Sequence, residues 1–290
     1  MAKHSKIEWT HHSWNPWWGC TKVGPGCDNC YAEAFTRRLR MDVFGLGKPR
    51  RTFGDKHWHQ PPRWNAEAER EGHHALVFGD SMCDVFDKEA PAGLRGDLWQ
   101  LVKATPHLIW IFATKRIGNA AKYLPADWGT GYANVVLLIS STGHEEYCRD
   151  MPVLRNTPAR WRGVSAEPLL GPIYPFSQDL AWIDWFILGG ESGSDGSIRP
   201  VSPMHPHWAR IIVSACLQAR TPVLFKQWGR YLPGSQLRDL FTDAQLCDIK
   251  VKTVSHNNIE AACFDVGKHR AGRVLDGIVW DQFPKFQVEA

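Results

Sequence analysis

No stretch of the chain approaches the ~18 consecutive apolar residues that a membrane span requires, and the opening Met1-Ala2-Lys3-His4-Ser5-Lys6 leads into polar residues without the apolar core of a secretory signal. The expectation is a soluble, cytoplasmic protein with no membrane partner. Internal repeats and low-complexity tracts are also missing, which excludes solenoids, and no linker divides the chain. A second Cys-x-x-Cys or a well-spaced His pair is missing too, so a closed four-ligand zinc site is disfavoured. Charge of one sign is scarce overall, with a formal net charge of +4. Its distribution is uneven: residues 1–70 hold 12 Lys+Arg against 7 Asp+Glu, and the remainder 22 against 23. The positive excess therefore lies at the N-terminal end, as expected where an anionic substrate approaches.

What the chain does have is 43% hydrophobic and 12% aromatic residues over 290 positions, enough for one large globular core. Eight cysteines are present. Cys83, Cys148, Cys216, Cys247 and Cys263 are scattered singly and read as ordinary thiols of a reducing compartment. Cys20, Cys27 and Cys30 are different. They fall in Gly19-Cys20-Thr21-Lys22-Val23-Gly24-Pro25-Gly26-Cys27-Asp28-Asn29-Cys30, a loop whose glycines and proline let the backbone fold back so that the three sulfurs face one another. Three thiolates with one vacancy suit an iron-sulfur cube that leaves one iron open. A helix is expected from Asp28 through Arg40, and its dipole would favour thiolate at Cys30.

Downstream, short apolar runs alternate with helix-length segments. The runs are Ala75–Phe78, Leu108–Phe112, Val135–Ile139, Trp161–Val164, Trp185–Leu188 and Pro222–Phe225, each apolar on both faces, as buried parallel strands are. Helices are expected at Leu94–Lys103 and His207–Ala219. With a further strand just before Cys20, the pattern predicts an α/β fold, a complete or partial βα (TIM-like) barrel over residues 1–229. Residues 230–290 form a less regular extension or lid, and the whole makes a single domain. In such barrels chemistry sits at the C-terminal strand ends. Those ends carry Asp80, Ser81 and Asp84; Thr114, Lys115 and Arg116; Ser140, Ser141 and Thr142; Ser165 and Glu167; Glu191 and Ser192; Lys226, Gln227 and Trp228. Between the cysteine loop and the second strand, Arg50, Arg51, Lys56, Trp58, Arg63 and Trp64 interleave cations with tryptophan. That composition suits either a surface that neutralises phosphates while stacking bases or a solvated loop with two tryptophans docked on the body. His57 and His59 read as incidental. Gly267–Arg273 reads as an anion-binding turn, a lid, or a surface hairpin.

Ile7-Glu8-Trp9-Thr10, Trp14-Asn15-Pro16, the cysteine loop with Tyr31-Ala32-Glu33, Glu167-Pro168-Leu169-Leu170-Gly171-Pro172, Gly189-Gly190-Glu191-Ser192-Gly193 and Phe225-Lys226-Gln227-Trp228-Gly229 together resemble the phage-associated three-cysteine-motif family. That family is a divergent branch of the radical S-adenosylmethionine (SAM) enzymes. The cysteine spacing of six then two departs from the common three then two, so the cluster type is what the resemblance implies. It implies a 4Fe-4S cluster held by Cys20, Cys27 and Cys30, and SAM chelating the open iron, cleaved by one electron to methionine and a 5′-deoxyadenosyl radical. The electron would come from a donor such as flavodoxin or ferredoxin, in the host cytoplasm if a phage encodes the protein. SAM contacts are expected from Asp80, Ser81, Lys115, Ser140, Glu167 and Glu191, and substrate contacts from Arg116, Lys226, Arg50, Arg51 and Arg63. No catalytic residue is assigned. The Gly-Gly-Glu run follows a late strand rather than the second, and Thr142 stands where a glutamate is usual. The expected substrate is DNA or a modified nucleoside, with an isomerase-type rearrangement on a thymine adduct that evades restriction. Two other classes remain open: lesion repair of the spore-photoproduct-lyase kind, and a non-enzymatic, zinc-stabilised DNA-binding protein.

Overall fold

Each apolar run becomes a strand in the computed structural model, which describes residues 5–193, 197, 199–237 and 248–286. Cys247 lies outside the described residues. A two-residue β1 (His12–Ser13) precedes the cysteine loop. It is followed by β2 (Ala75–Phe78), β3 (Leu108–Thr114), β4 (Val135–Ser140), β5 (Trp161–Ala166), β6 (Trp185–Gly189) and β7 (Val223–Gln227). The seven pair in sequence order, every neighbour parallel. Helices cross between them, including Gln60–Glu71, Leu94–Lys103, His144–Asn156 and Pro206–Ala219.

The sheet is curled, and its inner face shows by how much. The Trp9 ring lies 4.6 Å from Phe78 on β2 and 6.0 Å from Trp185 on β6. One indole reaches strands four positions apart only if the sheet wraps around it. Leu76, Ile109, Ile111, Val136, Leu138, Trp185, Ile187 and Leu224 join Trp9 in this inner core. The outer face packs on the helices through a larger cluster with Trp99, Trp110, Phe112, Phe186 and Phe225. Apolar burial on both faces is why the runs show no alternation.

The barrel is partial. The β7 edge is covered by the C-terminal chain, where Phe225 N donates to Trp280 O at 2.9 Å and Gln282 N to Val223 O at 3.2 Å, and Leu224 bridges Asp281 antiparallel. The segment after residue 229 is more regular than the sequence suggested. It forms a three-stranded antiparallel sheet of β8 (Tyr231–Pro233), β9 (Val251–His256) and β10 (Ile259–Asp265). Asn257 and Asn258, at φ 49° and 62°, make the two-residue turn between β9 and β10. Both central residues at positive φ is the type I′ hairpin geometry.

Candidate active site

Inner-face side chains change character along the strands. The lower level is bulky: Ile111 on β3, Leu138 on β4, Ile187 on β6. Two residues beyond Ile111 and Leu138 come Ala113 and Ser140, with Ser165 of β5 beside Ser140 and Asp80 beyond β2, and these small or polar groups line a cavity of about 450 Å³. That volume is within the ~300–1,000 Å³ of small-molecule sites. The same cavity is lined by Cys20, Cys27 and Cys30, by Ser81, Lys115, Arg116, Glu167, Glu191 and Lys226, and by Lys268. The topology thus brings the three loop cysteines and the strand-end ring to one place.

The cysteine loop is pinned from beneath. Asn15 is fully buried; its Nδ2 donates to Ser81 Oγ at 2.9 Å and its Oδ1 accepts from Met82 N at 2.6 Å. Gly19 N donates to Met82 O at 3.0 Å. Gly19 sits at φ 111°, and a Cβ there would stand 2.1 Å from Val43 O, so no other residue fits. Gly26 presses on the loop after β4, since a Cβ would meet Thr142 Cγ2 at 2.3 Å. Thr142 in turn donates its N–H and hydroxyl to Glu146 at 2.6 and 2.7 Å.

The helix after the loop runs Tyr31–Arg38, shorter than expected, with Cys30 at its N-cap. The dipole does not set the Cys30 thiol as anticipated. Burial pushes it up and outweighs the backbone N–H groups of Glu33 and Ala32 that favour thiolate. Cys20 is pushed up to about 12, by burial and then Asp84, against the pull of Arg116. Arg116 Nη1 lies 3.2 Å from Cys20 Sγ and 2.9 Å from Asp84 Oδ2, and Nη2 donates to Thr21 O. Asp84 also accepts from Thr114 Oγ1 at 2.9 Å and Lys115 N at 3.2 Å. Arg116 therefore braces the cysteine loop rather than standing free for a substrate phosphate.

Asp80 is the least satisfied carboxylate of the ring. Its Oδ1 accepts from Ala113 N at 3.1 Å, while Oδ2 is buried without a hydrogen-bond partner. Burial, and then the nearby Asp84, hold its pKa well above the ordinary carboxylate value. The other charged members are paired. Lys115 Nζ donates to Ser140 Oγ at 2.7 Å. Lys226 Nζ donates to both Glu167 oxygens at 2.6 and 2.8 Å. Glu191 accepts from Ser202 N at 2.7 Å, and Arg199 ties that loop to Asp28 at 3.0 Å and to Asn29 Oδ1 at 3.2 Å.

The basic stretch behaves differently from the expectation. Arg50 does not face an entrance: its side chain is 1% exposed. It pairs with Asp87 and Glu89 at 2.8 Å each and donates to Thr21 Oγ1 and to the Val43, Gly45 and Lys48 carbonyls. Arg50→Ala is expected to cost about 3–5 kcal/mol, the loss typical when one partner of a buried pair is removed, read as a lowered Tm. Trp64 is buried and stacks on His12, so it presents no face to a base, while the half-buried Trp58 makes a T-shaped contact with Trp14. His57 is buried against Trp14, with Nε2 2.8 Å from Asn15 O. Arg51 and Arg63 are exposed, Arg51 lying 4.8 Å over the Trp18 ring.

Sequence reasoning missed several lining residues. Cys83, read as an ordinary thiol, faces the same cavity, as do Glu8, Trp9, Tyr31, Met82 and Phe44. The signal available was proximity in sequence, because Ile7–Thr10 and Tyr31 flank the cysteine loop and Cys83 follows Asp80 and Ser81. Among the described residues, no three His, Cys, Asp or Glu side chains close on a point at the spacing one metal ion needs. Among them, too, no helix is long and apolar enough to cross a membrane.

Fold and site together define a partial βα barrel with a cysteine-lined cavity at its strand ends. A family model described as "Protein of unknown function (DUF5131)" matches residues 4–284, and the chain belongs to that family. No curated protein matches. Among solved structures, a mutant spore photoproduct lyase with bound AdoMet and dinucleoside spore photoproduct is similar at 12% identity, covering 91% of this chain and 71% of that one with a TM-score of 0.46. Spore photoproduct lyase complexed with dinucleoside spore photoproduct is similar at 12% identity, over 90% and 70%, with a TM-score of 0.45.

Proposed function

We propose that this protein is a radical SAM enzyme. The observation that carries the reading is the convergence of three loop cysteines and an unpaired, buried Asp80 carboxylate oxygen on one strand-end cavity. The donor set fits a 4Fe-4S cube better than zinc. A cube can be held by three protein thiolates with one iron left open, whereas a closed zinc site takes four protein ligands around one point. Cys20, Cys27 and Cys30 would hold the cluster. When bound and reduced, the cluster would supply the one-electron chemistry that cleaves SAM and so removes hydrogen from a substrate carbon.

The chain's own residues position and enclose. Asp80 offers an acceptor for the SAM amino group, and Ser81 is fixed beside it through Asn15. Lys115, oriented by Ser140, offers a cation to the SAM carboxylate. Glu167 and Lys226 act as one unit toward the substrate side, and Glu191 shapes the wall through Ser202. The substrate in this reading is a base of DNA or a modified nucleoside, the reaction an isomerase-type rearrangement of a phage base that blocks restriction. The electron comes from a small donor of the flavodoxin or ferredoxin kind. A base from a duplex would be flipped out to reach the strand ends, at a cost of a few kcal/mol.

Anaerobic reconstitution tests the core of this. Iron and sulfide near four each per chain, and 5′-deoxyadenosine formed from SAM on reduction, are expected; a single zinc with no cleavage would return the protein to the DNA-binding class. For the entrance, Arg51→Ala with Arg63→Ala is expected to weaken duplex DNA binding. Its log K against log salt slope should fall by about 0.9 for each phosphate contact removed, and an unchanged slope would take these two arginines off the interface.

A further inference from the structure

A second groove, of about 480 Å³, lies beside the cysteine loop, and the chemistry just assigned leaves it unused. Thr21 lines this groove, while its chain neighbour Cys20 lines the strand-end cavity. Lys115 and Arg116 line both. Arg116 Nη1 lies 3.2 Å from Cys20 Sγ, and Nη2 donates to Thr21 O. One guanidinium and one stretch of backbone therefore separate the groove from a cysteine sulfur.

The rim of the groove is aliphatic. Leu46 is 82% exposed and Val23 50%, and Val153 of the helix His144–Asn156 lines the same groove. Leu46 projects from anchored backbone, since Gly45 N donates to Cys20 O at 2.9 Å and Gly47 N to Glu89 at 2.7 Å. Apolar side chains gathered at one groove mark an interaction surface, where single ones scattered over a protein would not. Charge narrows the partner. Four cations line the groove against three acids, and each acid is already held by an arginine: Asp87 and Glu89 by the buried Arg50, Asp150 by Arg149. Lys88 stays exposed on the rim. The complement of such a surface is an acidic protein face with an apolar centre. Nucleic acid fits less well, because among the described residues no aromatic ring lines the groove for a base to stack on.

We propose that this groove docks a small acidic protein that carries one electron, with Leu46, Val23 and Val153 meeting its apolar centre and Lys88 its acids. This rests on the reading of Cys20, Cys27 and Cys30 as ligands of a cluster that has to be reduced. In that reading SAM and substrate fill the strand-end cavity, so the electron arrives from a side they leave open, and the groove is such a side within short range of Cys20. One electron leaves the carrier, oxidising it by one, and reduces the group held by the three cysteines by one; no bond or proton is exchanged. Electron-transfer complexes sit at the small end of protein interfaces, below ~1,200 Å² in total, so one groove and its rim suffice.

The test titrates an acidic flavodoxin into the reconstituted full chain by calorimetry, and compares SAM cleavage driven by reduced flavodoxin with cleavage driven by dithionite. Wild-type protein is expected to bind flavodoxin, more weakly as salt is raised. Leu46→Asp and Lys88→Glu are each expected to weaken that binding by about tenfold and to slow flavodoxin-driven cleavage, with dithionite-driven cleavage unchanged. Leu217→Asp, exposed on the helix Pro206–Ala219, should change neither. Thermal melts confirm that each variant is folded, and the wild-type salt dependence stands without any variant. No binding of flavodoxin by the wild type, or full binding by both groove variants, overturns the docking site. So do groove variants that lose affinity for duplex DNA and keep it for flavodoxin. Absence of dithionite-driven cleavage in the wild type would sink the enzymatic reading while the calorimetry still reads the docking, so the two fail separately.

Discussion

Cys27→Ala protein, reconstituted anaerobically with iron and sulfide, is expected to lose the brown cluster absorbance and all reductive cleavage of SAM. Cys30→Ala should behave the same way. Cys27 closes the short 3-10 turn Pro25–Cys27 and Cys30 caps the helix that follows, so each thiol is delivered to the cavity by fixed backbone. Removal of one leaves an iron without its protein ligand. Cys20→Ala is the informative case, because Cys83 lines the same cavity. Residual absorbance in Cys20→Ala that vanishes in the Cys20→Ala/Cys83→Ala double variant would show Cys83 standing in as a ligand. Cys148, exposed on the helix His144–Asn156 and 3.4 Å from His144 Nε2, serves as the control, and Cys148→Ala should retain cluster and cleavage. A full cluster in the Cys27→Ala protein would remove the loop from the metal assignment.

The parts of the fold legible in the sequence were those where one local signal decides. Val135–Ser140 is apolar, β-branched and bounded by polar residues, and the strand follows from that alone. The helix Leu94–Lys103 was equally plain from its spacing. The strand-end ring was legible as a place, because parallel strands in sequence order put their C-terminal ends on one rim. Partners were not legible. Arg50 in Lys48-Pro49-Arg50-Arg51 looks the same as Arg51 in composition, yet Arg50 turns inward to Asp87 and Glu89 while Arg51 stays on the surface over Trp18. Which arginine is buried depends on carboxylates nearly forty residues later, and no periodicity carries that. The β9–β10 hairpin was missed because its strands are half exposed and short of a continuous apolar run, and because its turn uses Asn257-Asn258 instead of the more familiar Asn-Gly.

Asp80→Asn should change binding and stability in opposite directions. Its Oδ2 is the one ring carboxylate oxygen left both buried and unpaired, beside the turn that carries Ser81 and Cys83. A charge-assisted hydrogen bond from the SAM amino group to that oxygen would contribute about 1.5–3 kcal/mol. Its loss should raise the dissociation constant for SAM roughly tenfold to a hundredfold, at ~1.4 kcal/mol per factor of ten. Glu191→Gln should do much less to SAM, since Glu191 already accepts from Ser202 N at 2.7 Å and the amide oxygen of Gln can do the same. The stability effect follows from linkage. Burial holds the Asp80 carboxyl above its ordinary pKa in the folded chain, so the folded state keeps a proton that the unfolded state releases. Such a group costs stability as pH rises above the unfolded value of ~3.9, and the cost is present at pH 7. Asparagine carries no charge to bury and can still accept from Ala113 N. The ligand-free Asp80→Asn protein should therefore melt higher than wild type at pH 7, by roughly 2–4 °C for each kcal/mol recovered, with the gap closing as pH falls toward 4. Paramagnetic resonance of the reduced cluster during a SAM titration reads the binding half, and melts across pH read the other. Wild-type SAM affinity in Asp80→Asn would sink the assignment of this oxygen to SAM. A variant that melts lower than wild type and loses its cluster would make Asp80 a support of the cysteine loop.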